Sequence, residues 1–231
     1  MRFLKQYTKS TVMIVLLLAA SFAFLFSCSS IQYERGPTTA ERVELMKAET
    51  DAQNRQLIGM LQSGGYVVYI RHASTDWSQK DVEPYQYYDC SKQRNLDADG
   101  REESVRIGEA FRAFDIPVAQ VFSSPFCRTR DTAELAFGEF EIENDLQHVP
   151  VAESPTKEET IQFLWDRMDE FLAQVPPEGE NLVLVSHSGN LYHRVDITHL
   201  PEGLMVIFEP DGEGSSKLKG MITPEELFRL Y

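Results

Sequence analysis

The chain has 231 residues, a formal net charge of −14, and 42% hydrophobic and 25% charged residues. That composition is ordinary for a globular protein with a full core, and no internal repeat or long low-complexity tract appears. An acidic chain with no basic stripe also excludes nucleic acid as a partner, so an anionic substrate must be captured by local cations working against the overall field.

In chain order, Arg2, Lys5 and Lys9 precede an apolar run from Val12 to Phe26 that is broken only by Ser21, and Ser27-Cys28-Ser29-Ser30 follows. A basic start and an apolar centre shorter than the ~20 residues of a spanning helix fit an export signal. The ending resembles a bacterial lipobox, so residues 1–27 are expected to be removed and Cys28 to carry the lipid. This puts the folded part outside the cytoplasm, lipid-anchored and facing the periplasm. Cleavage takes away three positive charges and leaves −17. Residues 28–40 are small and polar with Pro and Gly, a tether; residues 41–231 are expected to form a single domain.

Apolar residues at helical spacing predict a helix from Glu41 to Leu61, stopped by Ser63-Gly64-Gly65. Tyr66–Ile70 is a short β-branched and aromatic run, a buried strand. Ala73 to Asn95 has no period and reads as a long loop. Helix is predicted over Ala98–Phe114, strand within Ile116–Phe122, and helix over Arg128–Phe137 and Lys157–Val175. Asn181–Val185 is another buried strand. Glu202–Pro210 and Ser216–Met221 read as two strands forming a hairpin, and Pro224–Leu230 as a closing helix. Strands alternating with long helices predict a three-layer α/β/α sandwich with a mostly parallel central sheet. Such sheets bind ligands beyond the carboxyl ends of their strands.

Three predicted strand ends carry related residues: Arg71-His72-Ala73-Ser74, Ser123-Ser124-Pro125-Phe126-Cys127-Arg128, and Ser186-His187-Ser188-Gly189. If they are neighbours, two arginines and two histidines share one pocket. Arginine forks bind phosphoryl oxygens bidentately and stay charged. An imidazole nitrogen can attack phosphorus in line when the other nitrogen donates a hydrogen bond, for which a backbone carbonyl is the expected acceptor. The second histidine, as imidazolium, adds a donor to the transferring group.

The first motif resembles the Arg-His-Gly signature of the histidine phosphatase superfamily, with its phosphoglycerate mutase-like fold; Ala73 stands at the glycine. Ser123 to Ala133 and Leu184 to Gly189 resemble the second and third signatures. The resemblance spans Tyr66 to Phe208 in family order. It implies His72 as nucleophile, Arg71 and Arg128 as phosphate clamps, and His187 as the second pocket histidine. No asparagine follows the first signature before Tyr88, and the mutase signature around the acid/base glutamate is missing, which argues for a phosphatase acting on phosphate monoesters rather than a mutase.

The general acid is expected to be Glu153, with Asp76, Asp89 and Glu202 as alternatives. Ser74, Ser188 and Arg94 are further candidates for substrate contact, Arg94 having a structural ion pair as its other reading. Tyr85, Tyr87 and Tyr88 either line an apolar side of the pocket or pack the loop. In an oxidising compartment Cys90 and Cys127 can pair, although sequence separation does not decide it. His148, His193 and His199 lack metal-ligand spacing and read as surface or packing residues; no metal or cofactor is implied. The expected partners are a small phosphorylated substrate and, through the lipid, a membrane. Two other functions stay open: a phosphate-binding lipoprotein without turnover, and a phosphohistidine-type protein phosphatase.

Overall fold

Val67–Arg71 (β1) is buried along its whole length, as a strand covered on both faces must be, and this explains why its sequence is a continuous apolar run rather than an alternation. The computed structural model describes residues 38–148, 155–195 and 200–231, with the side chains of 155–158 and 160 left out. Strand β1 pairs in parallel with β4 (Asn181–Ser186) and antiparallel with β5 (Met205–Pro210). On the β4 side follow β2 (Val118–Ser123) and the short β3 (Glu141–Ile142), both parallel to their neighbours. On the other side β6 (Ser216–Ile222) completes the β5 hairpin. The resulting six-stranded sheet has the order β3-β2-β4-β1-β5-β6.

Two apolar clusters cover the two faces. Val68 and Ile70 of β1 point into one, with Ile58 and Leu61 of α1 (Thr39–Ser63), Phe111 of α2 (Ala98–Ala113), Ala133 of α3 (Cys127–Phe137) and Leu227 of α5 (Pro224–Leu230). Val67 and Tyr69 point into the other, with Met168 and Leu172 of α4 (Pro155–Leu172). The period-2 alternation of strand side chains thus produces the three layers expected from sequence. Helices α2 and α3 approach closely because position 108 is glycine; a Cβ there would overlap the Ala136 carbonyl.

By its contacts the chain divides into Met1–Val43 and Glu44–Tyr231. Of the first unit only Thr38–Val43 are described, and Thr39 and Ala40, placed in the tether by sequence, already belong to α1. The second unit holds the sheet. Residues 1–27, expected from sequence to be an export signal, and Cys28 lie outside the described residues. Element boundaries differ from the sequence reading mainly at Glu202–Leu204, which is loop rather than strand, and at β3, a strand with no local signature.

Cys90 and Cys127 form a disulfide, with Cα atoms 5.7 Å apart and a sequence separation of 37. It ties the long loop after β1 to the start of α3. Cross-linking a loop of that size restricts the unfolded chain and is worth about 3–4 kcal/mol. Urea unfolding of the full chain is therefore expected to show a stability loss of about that size on adding reductant. A Cys90→Ser/Cys127→Ser variant should be insensitive to it.

Candidate active site

Parallel strands β1, β2 and β4 end level with one another: Arg71 is paired with Ser186, and Ser123 with Val185. The chain continues in register for one more residue, His72 N–H donating to the Ser186 carbonyl and Ser124 N–H to the Val185 carbonyl, both at 3.0 Å. His72, Ser124 and His187 consequently leave the same edge of the sheet together, and Arg128 enters from the first turn of α3. All of Arg71, His72, Ser124, Arg128 and His187 are buried.

His72 Nδ1 lies 2.9 Å from the Ala73 carbonyl. A carbonyl only accepts, so Nδ1 carries the proton and Nε2 keeps its lone pair. Burial, followed by the charges of Arg128 and Arg71, holds the imidazole well below the usual histidine range, so it is neutral at physiological pH. The ring meets His187 edge-on, with centroids 5.6 Å apart.

His187 Nε2 is 2.8 Å from Ser124 Oγ and Nδ1 is 3.5 Å from an Arg128 terminal nitrogen. The guanidinium can only donate, so Nδ1 accepts and Nε2–H points to Ser124. Burial and Arg128 push this histidine well down as well. The imidazolium expected from sequence is therefore a neutral ring in this pocket, because two guanidinium groups and a desolvated environment oppose a further positive charge. The Tyr69 hydroxyl donates to the His187 carbonyl and holds its backbone.

Arg128 is fully buried and lies over the Phe126 ring, 4.4 Å from its centroid. One terminal nitrogen donates to Asp81 at 3.0 Å. Its Nε is a buried donor with no acceptor among the described residues, the kind of group an oxyanion would satisfy. Burial lowers its pKa to about 10, against the pull of Asp81, so the charge persists at neutral pH. Arg71 donates to the Leu200 carbonyl and to Glu202, the latter at 3.2 Å.

Glu202 is a hub. It also accepts from Arg94 at 3.3 Å and from the Thr75 hydroxyl at 2.7 Å. Arg94 is thus the structural ion-pair partner of Glu202, bonded to Thr75 Oγ1 at 2.6 Å and stacked on Trp77 at 4.0 Å. Ser74 donates to Asp97 at 2.9 Å, and Ser188 Oγ lies 3.4 Å from the Tyr192 hydroxyl. Of the alternative acids, Asp76 and Asp89 bond to the turn residues Ser78 and Ser91. Glu153 lies outside the described residues, as does His199. His193 pairs with Asp169 at 2.9 Å and stacks on Trp165. Tyr85 and Tyr87 pack edge-on against Phe126, itself edge-on to His187, and Tyr88 is exposed.

Two pocket residues escaped the sequence reading. Asp81, in the long loop, bridges Arg128 and the Arg94 backbone N–H at 2.9 Å. His148, expected at the surface or in packing, sets its ring 5.3 Å from that of His187; burial and Arg128 push its pKa down to about 4. Neither is marked by spacing or periodicity, since both reach the site through loops. A separate groove of about 640 Å³ is lined by Asp99, Glu102, Glu103 and Glu225 among others. Arg106 and Arg229 also line it, so carboxylates outnumber cations there.

The buried histidines give stability a pH dependence. His72, His148 and His187 have folded pKa values below the unfolded 6.5, so below pH 6.5 the unfolded chain binds more protons and acid destabilises the fold. Glu103, pushed up to about 7 chiefly by burial, acts oppositely between its unfolded 4.5 and 7. Each group contributes at most about 1.4 kcal/mol per pH unit, so the three histidines outweigh the one carboxyl. Urea unfolding at pH 5.5 and 7.0 is expected to show lower stability at 5.5, and Glu103→Gln to make the loss larger.

Two buried imidazoles and two guanidinium groups thus gather beyond the carboxyl edge of the parallel strands, a set of groups with the charge and donors to hold an oxyanion. Residues 67–149 match the family model described as histidine phosphatase superfamily (branch 1). Three solved structures are similar. The protein histidine phosphatase SixA complexed with tungstate is 16% identical, covers 70% of this chain and 99% of its own, and has a TM-score of 0.45. Phosphoserine phosphatase from Entamoeba histolytica in complex with 3-phosphoglyceric acid is 14% identical, with 70% and 98% coverage and a TM-score of 0.48. The protein TTHB049 from Thermus thermophilus is 19% identical, with 68% and 99% coverage and a TM-score of 0.47. No curated protein matches the chain.

Proposed function

We propose that this protein is a phosphatase that hydrolyses phosphate monoesters through a phosphohistidine on His72. The observation that carries this reading is the bare Nε2 of His72, set by the Ala73 carbonyl beside the Arg128–His187 pair. In the first step the Nε2 lone pair forms the N–P bond as the P–O bond to the leaving group breaks. Arg128 holds the equatorial oxygens, Arg71 adds positive potential at His72, and His187 donates once the incoming anion offsets the repulsion that keeps it neutral. Water then attacks phosphorus, the N–P bond breaks and orthophosphate leaves.

Rapid acid-free quenching of the full chain during turnover of a phosphate ester tests the reading. A phosphoprotein stable to alkali and labile to acid is expected; an alkali-labile one, or none under burst conditions, rejects it. Retention of a base-ready imidazole favours turnover over a phosphate-binding role, because binding alone needs no nucleophile. The export signal expected in residues 1–27 disfavours a phosphohistidine-type protein phosphatase. We propose further that residues 41–231 fold as one domain carried at the membrane by lipid on Cys28, facing the periplasm. Fatty-acid labelling that survives Cys28→Ala contradicts that anchor.

A further inference from the structure

We infer that His148 is the catalytic residue that protonates the leaving oxygen, an inference that rests on the phosphatase reading above. Ring contacts run from His72 to His187 at 5.6 Å and from His187 to His148 at 5.3 Å. The row has the nucleophile at one end and His148 at the other. Its position is built. Ser186 Oγ donates to the Leu146 carbonyl at 2.7 Å, and the Asn190 amide donates to the Gln147 carbonyl at 2.9 Å. The Tyr87 hydroxyl bonds the Gln147 side chain at 2.5 Å. The segment leading to His148 is thus fastened to the end of β4, the strand that delivers His187.

The described carboxylates near the site are already engaged. Glu202 takes donors from Arg71, Arg94 and Thr75, and Asp81 takes them from Arg128 and the Arg94 backbone. The His148 Nδ1 is buried without a hydrogen-bond partner among the described residues. An imidazole suits both half-reactions. As imidazolium it gives its proton to the alkoxide as the P–O bond breaks. The neutral ring then takes a proton from the attacking water as the new O–P bond forms and the N–P bond to His72 breaks, which restores the imidazolium. Arg128 and burial oppose the charged form in the empty pocket; a bound phosphate dianion offsets the arginine and raises the proton affinity of the ring when the proton is needed.

The test compares kcat/KM of the full chain for p-nitrophenyl phosphate, whose leaving group needs no proton, and for glycerol phosphate, whose alkoxide does. His148→Ala and His148→Gln are expected to lose about 10²-fold or more on glycerol phosphate and to stay within about threefold on p-nitrophenyl phosphate. Equal losses on both substrates, or none on either, overturn the assignment. If neither variant folds, Glu153→Gln decides: unchanged discrimination between the substrates supports His148, and a selective loss on glycerol phosphate transfers the role to Glu153. His72→Ala run alongside separates the two readings, since full activity in that variant means the phosphohistidine reading on His72 has itself failed.

Discussion

His72→Ala is expected to lower kcat/KM for p-nitrophenyl phosphate by on the order of 10³-fold or more, with circular dichroism and the thermal midpoint close to those of the parent. Among the described residues the side chain bonds only to the neighbouring Ala73 carbonyl, so its removal disturbs little of the fold. What disappears is the group placed to form the covalent intermediate, and the arginines alone cannot replace it. The remaining pocket should still bind orthophosphate or vanadate, because Arg128 and His187 are intact. A variant that keeps phosphate affinity and loses turnover separates the nucleophile from the clamp. Hydrolysis at the parent rate in His72→Ala would show that the chemistry lies elsewhere.

Arg128→Met is expected to cost about 10²–10³-fold in kcat/KM, the usual loss when a preorganised donor to developing charge is removed. Arg128→Lys should recover only part of this, since an ammonium keeps the charge but not the planar fork. The substitution also strips the His187 Nδ1 of its donor and Asp81 of one of its two. Leaving such groups unsatisfied costs about 1–3 kcal/mol of stability. A more specific signature follows from electrostatics. After burial, Arg128 is the leading cause that depresses His72, His148 and His187. All three pKa values should therefore rise in Arg128→Met, and histidine proton resonances followed between pH 4 and 8 read this directly. Unmoved titrations would place the guanidinium outside the pocket.

Much of this protein was legible in its residues because the signals are local. The Tyr66–Ile70 run reads as a strand because burial on both faces leaves no polar alternate positions. Asp97 caps α2 by accepting from Gly100 N–H, and Thr223 and Glu226 form a reciprocal cap on α5. Edge strand Glu141–Ile142 was not legible: it exists only through pairing with Phe122 and Ser123. The same holds for the partners of the arginines, which lie 131 residues away for Arg71 and 47 for Arg128. No periodicity spans such distances.

The amino-acid sequence by itself determined the alternation of helices and strands and the placing of histidine and arginine just past three strand ends, because hydrophobic period and turn chemistry act over a few residues. Only the tertiary structure decided which nitrogen of His72 is bare, that His187 rests neutral, that Glu202 and Asp81 are occupied by arginines, and that His148 joins the pocket. Protonation and partner choice depend on burial and on charges brought together from distant loops, and these arise only when the sheet is assembled.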